Sequence, residues 1–266
     1  MSKPLILAPL GKINQFDALI NSGADMVYTG YSSFSRGGSL YGLNDNEIRQ
    51  LLKKAVFSEK KVIAALNIIP ESKNIEFFFG TVDKLIVLGI RDFIFNDAGL
   101  ISLAKKKFPE IKITASVGCG IVNIEDVLFF EEISADTVVL NPVVTPLEVA
   151  EIRKKTKIKL ELFIFFEKEF ILKSKCLLTG YIRDGSSKKG ISCGKICAFN
   201  WIETDKNFDN TFKDLKPLKI SKVELIKDFI QSGVDIFKIE GRNLPEKVVL
   251  DIVELVRKEI DGIKNV

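Results

Sequence analysis

Histidine is missing altogether from the 266 residues. Its absence excludes Ser-His-Asp triads, His-ligated zinc, and every general acid or base built on imidazole. No apolar run approaches the roughly 18 residues that a membrane helix needs, so no membrane span is expected. The start, MetSerLysProLeuIleLeuAlaProLeuGlyLys, is broken too early by Pro9 and Gly11 to read as a secretory signal, which makes the cytoplasm the expected location. A strong charge imbalance is also lacking. Lys and Arg number 39 against 35 Asp and Glu, a net +4 that permits a polyanionic partner without requiring one. Disorder and collagen-like repeats are excluded by a composition 46% hydrophobic and 28% charged, which is that of a globular chain. The chemistry left to it must use Cys, Asp, Glu, Lys, Arg or a cofactor.

What the sequence does have is an alternation. Short apolar runs (LeuIleLeuAlaProLeu, AspMetValTyrThrGly, LysValIleAlaAlaLeuAsn, ArgAspPheIlePheAsnAsp, LysIleThrAlaSerValGly, AspThrValValLeuAsnPro, LysLeuGluLeuPheIlePhePhe and ValAspIlePheLysIleGlu) are of the kind buried in a parallel sheet. Helical segments separate them, expected at 15–21, 45–57, 75–88, 100–107, 124–133, 146–155, 222–231 and 246–260. About eight such units predict a single (β/α)8 TIM-barrel-like domain over 1–266. A weak repeat supports it: SerGlyAlaAspMetValTyr at 22–28, GlyIleArgAspPheIle at 89–94, SerAlaAspThrValVal at 134–139 and SerGlyValAspIlePheLys at 232–238. In each, a helix ends, often on a glycine that accepts positive φ, and an aspartate precedes a new strand. An open doubly wound sheet would show the same alternation, but no GxGxxG follows the first strand.

The rhythm fails between the seventh strand and the seventh helix. Residues 173–220 show no clear apolar period and are punctuated by Gly180, Gly185, Gly190, Gly194 and Pro217. A stretch this long inside a compact domain is usually functional, and in a barrel it leaves the face where active sites lie. It carries Cys176, Cys193 and Cys197, with sixteen residues between the first two and three between the last two. The remaining cysteine, Cys119, follows the fifth strand, and barrel geometry brings it to the same face. Four thiolates in a chain without an export signal suit a 4Fe-4S cluster or an all-cysteine zinc site, and unligated thiols are the plainer alternative. Six basic residues against Asp184 alone between 173 and 197 would help keep the thiols ionised.

The eighth strand closes on LysIleGluGlyArg at 238–242. Alternation turns Lys238 and Glu240 to one face and Phe237 and Ile239 to the other, so the charged pair is expected inside the barrel, with each other or with a ligand. Asn243 is expected as the N-cap of the following helix with Glu246 as its capping-box partner, beside Arg242, an arrangement suited to an anion. A buried structural ion pair beside a routine helix cap explains the same residues. Polar side chains also gather at strand ends: Thr29, Asn67, Asn96, Asp97, Ser116, Asn141 and Glu167. They read as a pocket lining, with helix N-caps accounting for some of them. Arg36, on the loop after the second strand, is placed to fold over that pocket or simply to be solvated. Basic clusters at 105–107 and 153–159 read as solvated helix ends before an RNA patch, and Trp201 as packing for the cysteine loop before a base-stacking ring.

These pieces resemble the peptidase U32 family, collagenase-like proteins that include oxygen-independent ubiquinone and RNA hydroxylation proteins. The resemblance rests on LeuAlaProLeuGly at 7–11, GlyAlaAspMetValTyrThrGly at 23–30, SerPheSerArg at 33–36, AlaLeuAsnIleIlePro at 65–70, CysLeuLeuThr at 176–179 and PheLysIleGluGlyArg at 237–242. It implies a barrel-like catalytic domain with a 4Fe-4S cluster held by Cys176, Cys193 and Cys197, with Cys119 as the remaining candidate for the fourth ligand. The family's HisGlyAlaxCys segment is replaced here by PhePheGluLysGluPhe at 165–170, and AsnProValVal at 141–144 stands where an arginine and a glutamate are common. The function the resemblance implies is oxygen-independent hydroxylation of an organic or RNA substrate with a small anionic oxygen donor of the prephenate type. In that reading Lys238 and Arg242 hold donor carboxylates, Glu240 stands with them, and Arg36, Asn67 and Ser116 bind substrate. A U32-type peptidase, and a non-catalytic partner of a homologous U32 subunit, are the alternatives.

Overall fold

A computed structural model of the chain describes residues 3–31, 34–35, 42–168, 201–204, 211–215 and 218–263. Eight parallel strands among them close into a barrel: β1 (Leu5–Pro9), β2 (Met26–Tyr31), β3 (Lys61–Leu66), β4 (Asp92–Phe95), β5 (Lys112–Ala115), β6 (Thr137–Leu140), β7 (Lys159–Lys168) and β8 (Ile236–Ile239). Each pairs with its sequence neighbours, and β8 returns to β1 with Leu5, Ile6 and Leu7 opposite Ile236, Phe237 and Lys238. The expected barrel is therefore present.

Helices α1 (Phe16–Asn21), α2 (Asp45–Phe57), α3 (Ile75–Leu88), α4 (Ala98–Lys107), α5 (Ile124–Glu132), α6 (Pro146–Arg153), α7 (Ile226–Ser232) and α8 (Glu246–Gly262) follow the strands in turn. Their starts are set chemically. Asn44 with Glu47, and Thr145 with Glu148, form capping boxes, while Asp97 and Asn123 accept the N–H groups of Leu100 and Asp126. Asp97, one of the polar strand-end residues, is thus a helix cap. Helix α8 begins differently from the expectation. Pro245 occupies the N-cap position with no side-chain cap, because a turn in which the Leu244 N–H reaches the Gly241 carbonyl (2.9 Å) uses Asn243 before the helix starts.

The period-two pattern sorts the core into layers. Ile6, Ala8, Val27, Val62, Ala64, Phe93, Phe95, Ile113, Leu160, Leu162 and Phe237 pack outward against the helices, while Leu7, Met26, Tyr28, Ile63, Ala65, Ile94 and Ile236 fill the inside. The repeated helix ends behave as their sequence suggests. Gly23, Gly89 and Gly233 take φ of 106°, 114° and 96°, and Ser134 stands in the glycine's place with φ 67°.

Past the barrel, β7 runs beyond its pairing with β6 and takes Leu218–Ser221 as an antiparallel neighbour, while Trp201–Thr204 and Thr211–Leu215 form a two-stranded sheet. Part of the stretch from 173 to 220, expected to lack periodic structure, is therefore strand. A two-residue strand, Gly42–Leu43, pairs in parallel with the end of β2.

Candidate active site

The inner face at the C-terminal end of the barrel is where the apolar filling stops. Lys238 projects inward from β8 and Glu161 from β7. The ammonium donates to the Glu161 carboxylate at 2.6 Å, with side chains 4% and 0% exposed. The pair sits between aromatic faces, Lys238 Nζ lying 4.8 Å from the Tyr28 ring centre and 5.2 Å from that of Phe163. Two opposite charges hold each other, as burial demands. The partner of Lys238 is Glu161 rather than Glu240, whose carboxylate instead accepts the Glu167 N–H at 3.0 Å. The second Glu161 oxygen, Oε2, is buried with no hydrogen-bond partner among the described residues, and so is Oδ1 of Asn96.

Above this pair opens a cavity of about 50 Å³ lined by both charge types and by neutral polar groups, among them Asn67, Asn96, Ser116, Lys238, Glu240 and Arg242. Gly118 allows the wall to close: a Cβ there would stand 2.0 Å from Asn96 Oδ1. Arg242 is fixed from β2 and the segment after it, one strand removed from β8. Its Nη1 donates to Ser35 Oγ at 2.6 Å and its guanidinium lies 5.6 Å from the Tyr28 ring, whose hydroxyl donates to the Ile239 carbonyl at 3.0 Å. The contact exists because Gly30 has no side chain; a Cβ there would fall 2.1 Å from Ser35 Oγ and 2.7 Å from Arg242 Nη1. Phe34 anchors the same segment, with its ring 5.2 Å from Phe78 and its carbonyl accepting the Ile68 N–H.

The structure thus brings Asn67, Ser116, Lys238, Glu240 and Arg242 to one cavity. Asn141 turns away, its side chain accepting the Val143 N–H in a local turn, and the Thr29 hydroxyl is spent on the Gly30 carbonyl. Arg36, Cys176, Cys193 and Cys197 lie outside the described residues. Cys119 ends a 3-10 turn, Val117–Cys119, on the rim past β5. Its half-buried sulfur packs against the strand–helix core, 3.9 Å from the Phe95 carbonyl. Burial, reinforced by the nearby Asp97 charge, pushes the metal-free thiol up to about 12. Among the described residues no group of three or more metal-ligating side chains converges, and no helix is long and apolar enough to cross a membrane.

Sequence reasoning passed over Glu161 and Ser35. Glu161 carried a signal, as the one charged residue in the otherwise apolar LeuGluLeuPheIlePhePhe. Ser35 carried none beyond its place beside Arg36.

A profile of peptidase family U32 matches residues 11–266. Among curated proteins, the tRNA hydroxylation protein P1 of Bacillus subtilis (strain 168) is 28% identical over 284 residues, covering 98% of this chain and 64% of the relative. The tRNA hydroxylation protein P of Escherichia coli (strain K12) is 27% identical over 249 residues, covering 92% and 55%. The chain thus spans less than two thirds of the length of these relatives. Among solved structures, the U32 peptidase Mk0906 superposes with a TM-score of 0.63 at 13% identity, covering 92% of this chain and 96% of that one, a likeness of fold.

Proposed function

The chain belongs to peptidase family U32, and we propose that it takes part in oxygen-independent hydroxylation of an RNA nucleoside, with a small anionic molecule as oxygen donor. The observation that carries this reading is the cavity at the barrel mouth. It sets two cations, Lys238 and Arg242, and one acid, Glu240, beside neutral amide and hydroxyl groups, a lining with a fork of donors at Arg242 for a carboxylate and polar groups for a substrate edge. The relatives named as tRNA hydroxylation proteins supply the substrate class. Peptide hydrolysis is less well supported. The one described thiol, Cys119, is pushed up rather than activated, and there is no histidine to serve as its base.

The reading includes a 4Fe-4S cluster held by Cys176, Cys193 and Cys197, with Cys119 as fourth ligand. The donor set is all sulfur, which suits iron-sulfur and leaves zinc as the alternative metal. Cys119 stands half-buried on the rim past β5, and a metal there would have to displace the proton that burial holds on its sulfur. The bound cluster would supply electrons or polarise an oxygen. The protein's own part is to hold the donor's carboxylate at Arg242, set Lys238 beside it between the ring faces of Tyr28 and Phe163, and seat the substrate against Asn67 and Ser116.

The test is purification without oxygen, followed by iron and sulfide analysis and an assay of RNA hydroxylation with a carboxylate donor. Stoichiometric iron and sulfide, lost in Cys176→Ala together with turnover, is the expected outcome. Zinc in place of iron, or hydroxylation that survives Cys176→Ala, contradicts it.

A further inference from the structure

Lys238 and Glu161 form more than a structural pair. The lysine is 3% exposed yet lines the cavity, so its nitrogen is desolvated and still reachable. A structural pair in a sealed core spends both carboxylate oxygens. Here Oε1 receives the ammonium and Oε2 is left without a partner among the described residues. A buried carboxylate with one idle oxygen beside a buried amine is equipped to take a proton and give it back. Arg242 lines the same cavity, and its guanidinium presents a planar fork of donors that matches a carboxylate. The cavity, about 50 Å³, favours a small acid.

From this arrangement we infer that Lys238 captures the carbonyl carbon of a small 2-oxo acid as an imine, with Glu161 shuttling the proton and Arg242 receiving the acid's carboxylate. The ammonium passes a proton to Glu161. The freed lone pair then forms the N–C bond while the carbonyl π pair moves onto oxygen, and a proton shift from nitrogen to oxygen gives the carbinolamine. Glu161 returns its proton to the carbinolamine hydroxyl, the C–O bond breaks, and water leaves. In total an ammonium and a carbonyl become an iminium and water, with no oxidant or reductant and no change of charge. The cage suits both ends of that exchange, because the faces of Tyr28 and Phe163 and the Glu161 carboxylate favour a cation at Nζ whether it is ammonium or iminium. The inference uses the cavity of the proposed function and deepens its oxygen donor into a 2-oxo acid, but needs neither the RNA nor the cluster.

The experiment is borohydride trapping of the full chain with pyruvate as probe, read by intact mass and peptide mapping. One reduced pyruvyl group is expected on Lys238, formed well ahead of the surface lysines. Lys238→Arg should abolish that adduct, and Glu161→Gln should slow its formation about a hundredfold. An unmodified Lys238 in a chain whose surface lysines react overturns the inference, and this wild-type map decides even where a variant fails to fold. Trapping at an undiminished rate in Glu161→Gln overturns the proton shuttle. No adduct with RNA hydroxylation intact sinks the imine and spares the proposed function. An adduct on Lys238 without any RNA hydroxylation does the reverse.

Discussion

The two rims of the barrel are built from the same repeated unit and finished in opposite ways. At the N-terminal rim, Asp25, Asp136 and Asp235 each accept the N–H at the start of a neighbouring strand, from Ile6 at 2.8 Å, Ile113 at 2.9 Å and Leu160 at 2.8 Å. Arginines brace two of these corners. Arg153 donates to the Gly233 carbonyl at 3.1 Å and pairs with Asp235 at 2.6 Å, and Arg257 does the same for the Gly23 carbonyl and Asp25. The fit is close: a Cβ on Gly23 or Gly233 would stand 2.7 or 2.8 Å from the arginine stem. At the C-terminal rim a cavity opens instead, and oxygens of Asn96 and Glu161 stay buried without partners among the described residues. One end spends three of its corner carboxylates on strand N–H groups and gives stability. The other leaves polar groups unspent, the condition for binding something else.

That contrast can be broken from either side. The largest effect belongs to Lys238→Met, which leaves the fully buried Glu161 carboxyl without its partner; unfolding measurements should show a loss of about 3–5 kcal/mol, with much of it recovered in the Lys238→Met/Glu161→Leu double variant. At the closed rim, Asp235→Ala removes the acceptor for the Leu160 N–H and the ion pair of Arg153, which keeps its backbone carbonyl acceptors. A loss of about 2 kcal/mol in urea unfolding is expected, with the affinity of the cavity for a carboxylate probe unchanged. Arg242→Ala should weight the two readouts the other way, losing about 1 kcal/mol of stability with the Ser35 hydrogen bond while binding of the probe weakens at least tenfold.

Acid sharpens the comparison. Burial alone would raise the Asp136 pKa, but the hydrogen bond from Lys105, the Ile113 N–H and the hydrogen bond from Lys112 outweigh it and hold the carboxyl below its ordinary 3.8. A depressed carboxylate stabilises fully above its unfolded pKa and loses that contribution as pH falls through the folded one. The stability gap between wild type and Asp136→Asn should therefore be constant above about pH 5 and shrink below pH 4. The smallest effect is a gain. Ser134 holds φ 67° where its counterparts are glycine, so Ser134→Gly should add about 0.5–1 kcal/mol.

Much of this was legible in the sequence, because it depended on period and on local chemistry. Alternation in LysIleGluGlyArg turned Lys238 inward correctly, and the glycine or serine shortly before an aspartate marked the helix ends. The partner of Lys238 was not legible, since Glu161 is 77 residues away and the pairing follows from the register of β7 against β8, in which Lys238 stands opposite Phe163. Ser35 was hidden for the same reason, its contact with Arg242 spanning 207 residues and depending on an absent side chain at Gly30. Asn243 misled because a residue of cap chemistry before a glutamate satisfies the local pattern, while Pro245 and the turn from Gly241 decide where α8 begins.

The most direct measurement is mass spectrometry of RNA nucleosides from cells lacking this chain, complemented in turn with wild type, Asp235→Ala and Arg242→Ala. The account predicts that a hydroxylated nucleoside disappears, returns with wild type and with the closed-rim variant, and stays absent with Arg242→Ala. A hydroxylated nucleoside pool that is unchanged in the deletion, or fully restored by Arg242→Ala, contradicts it.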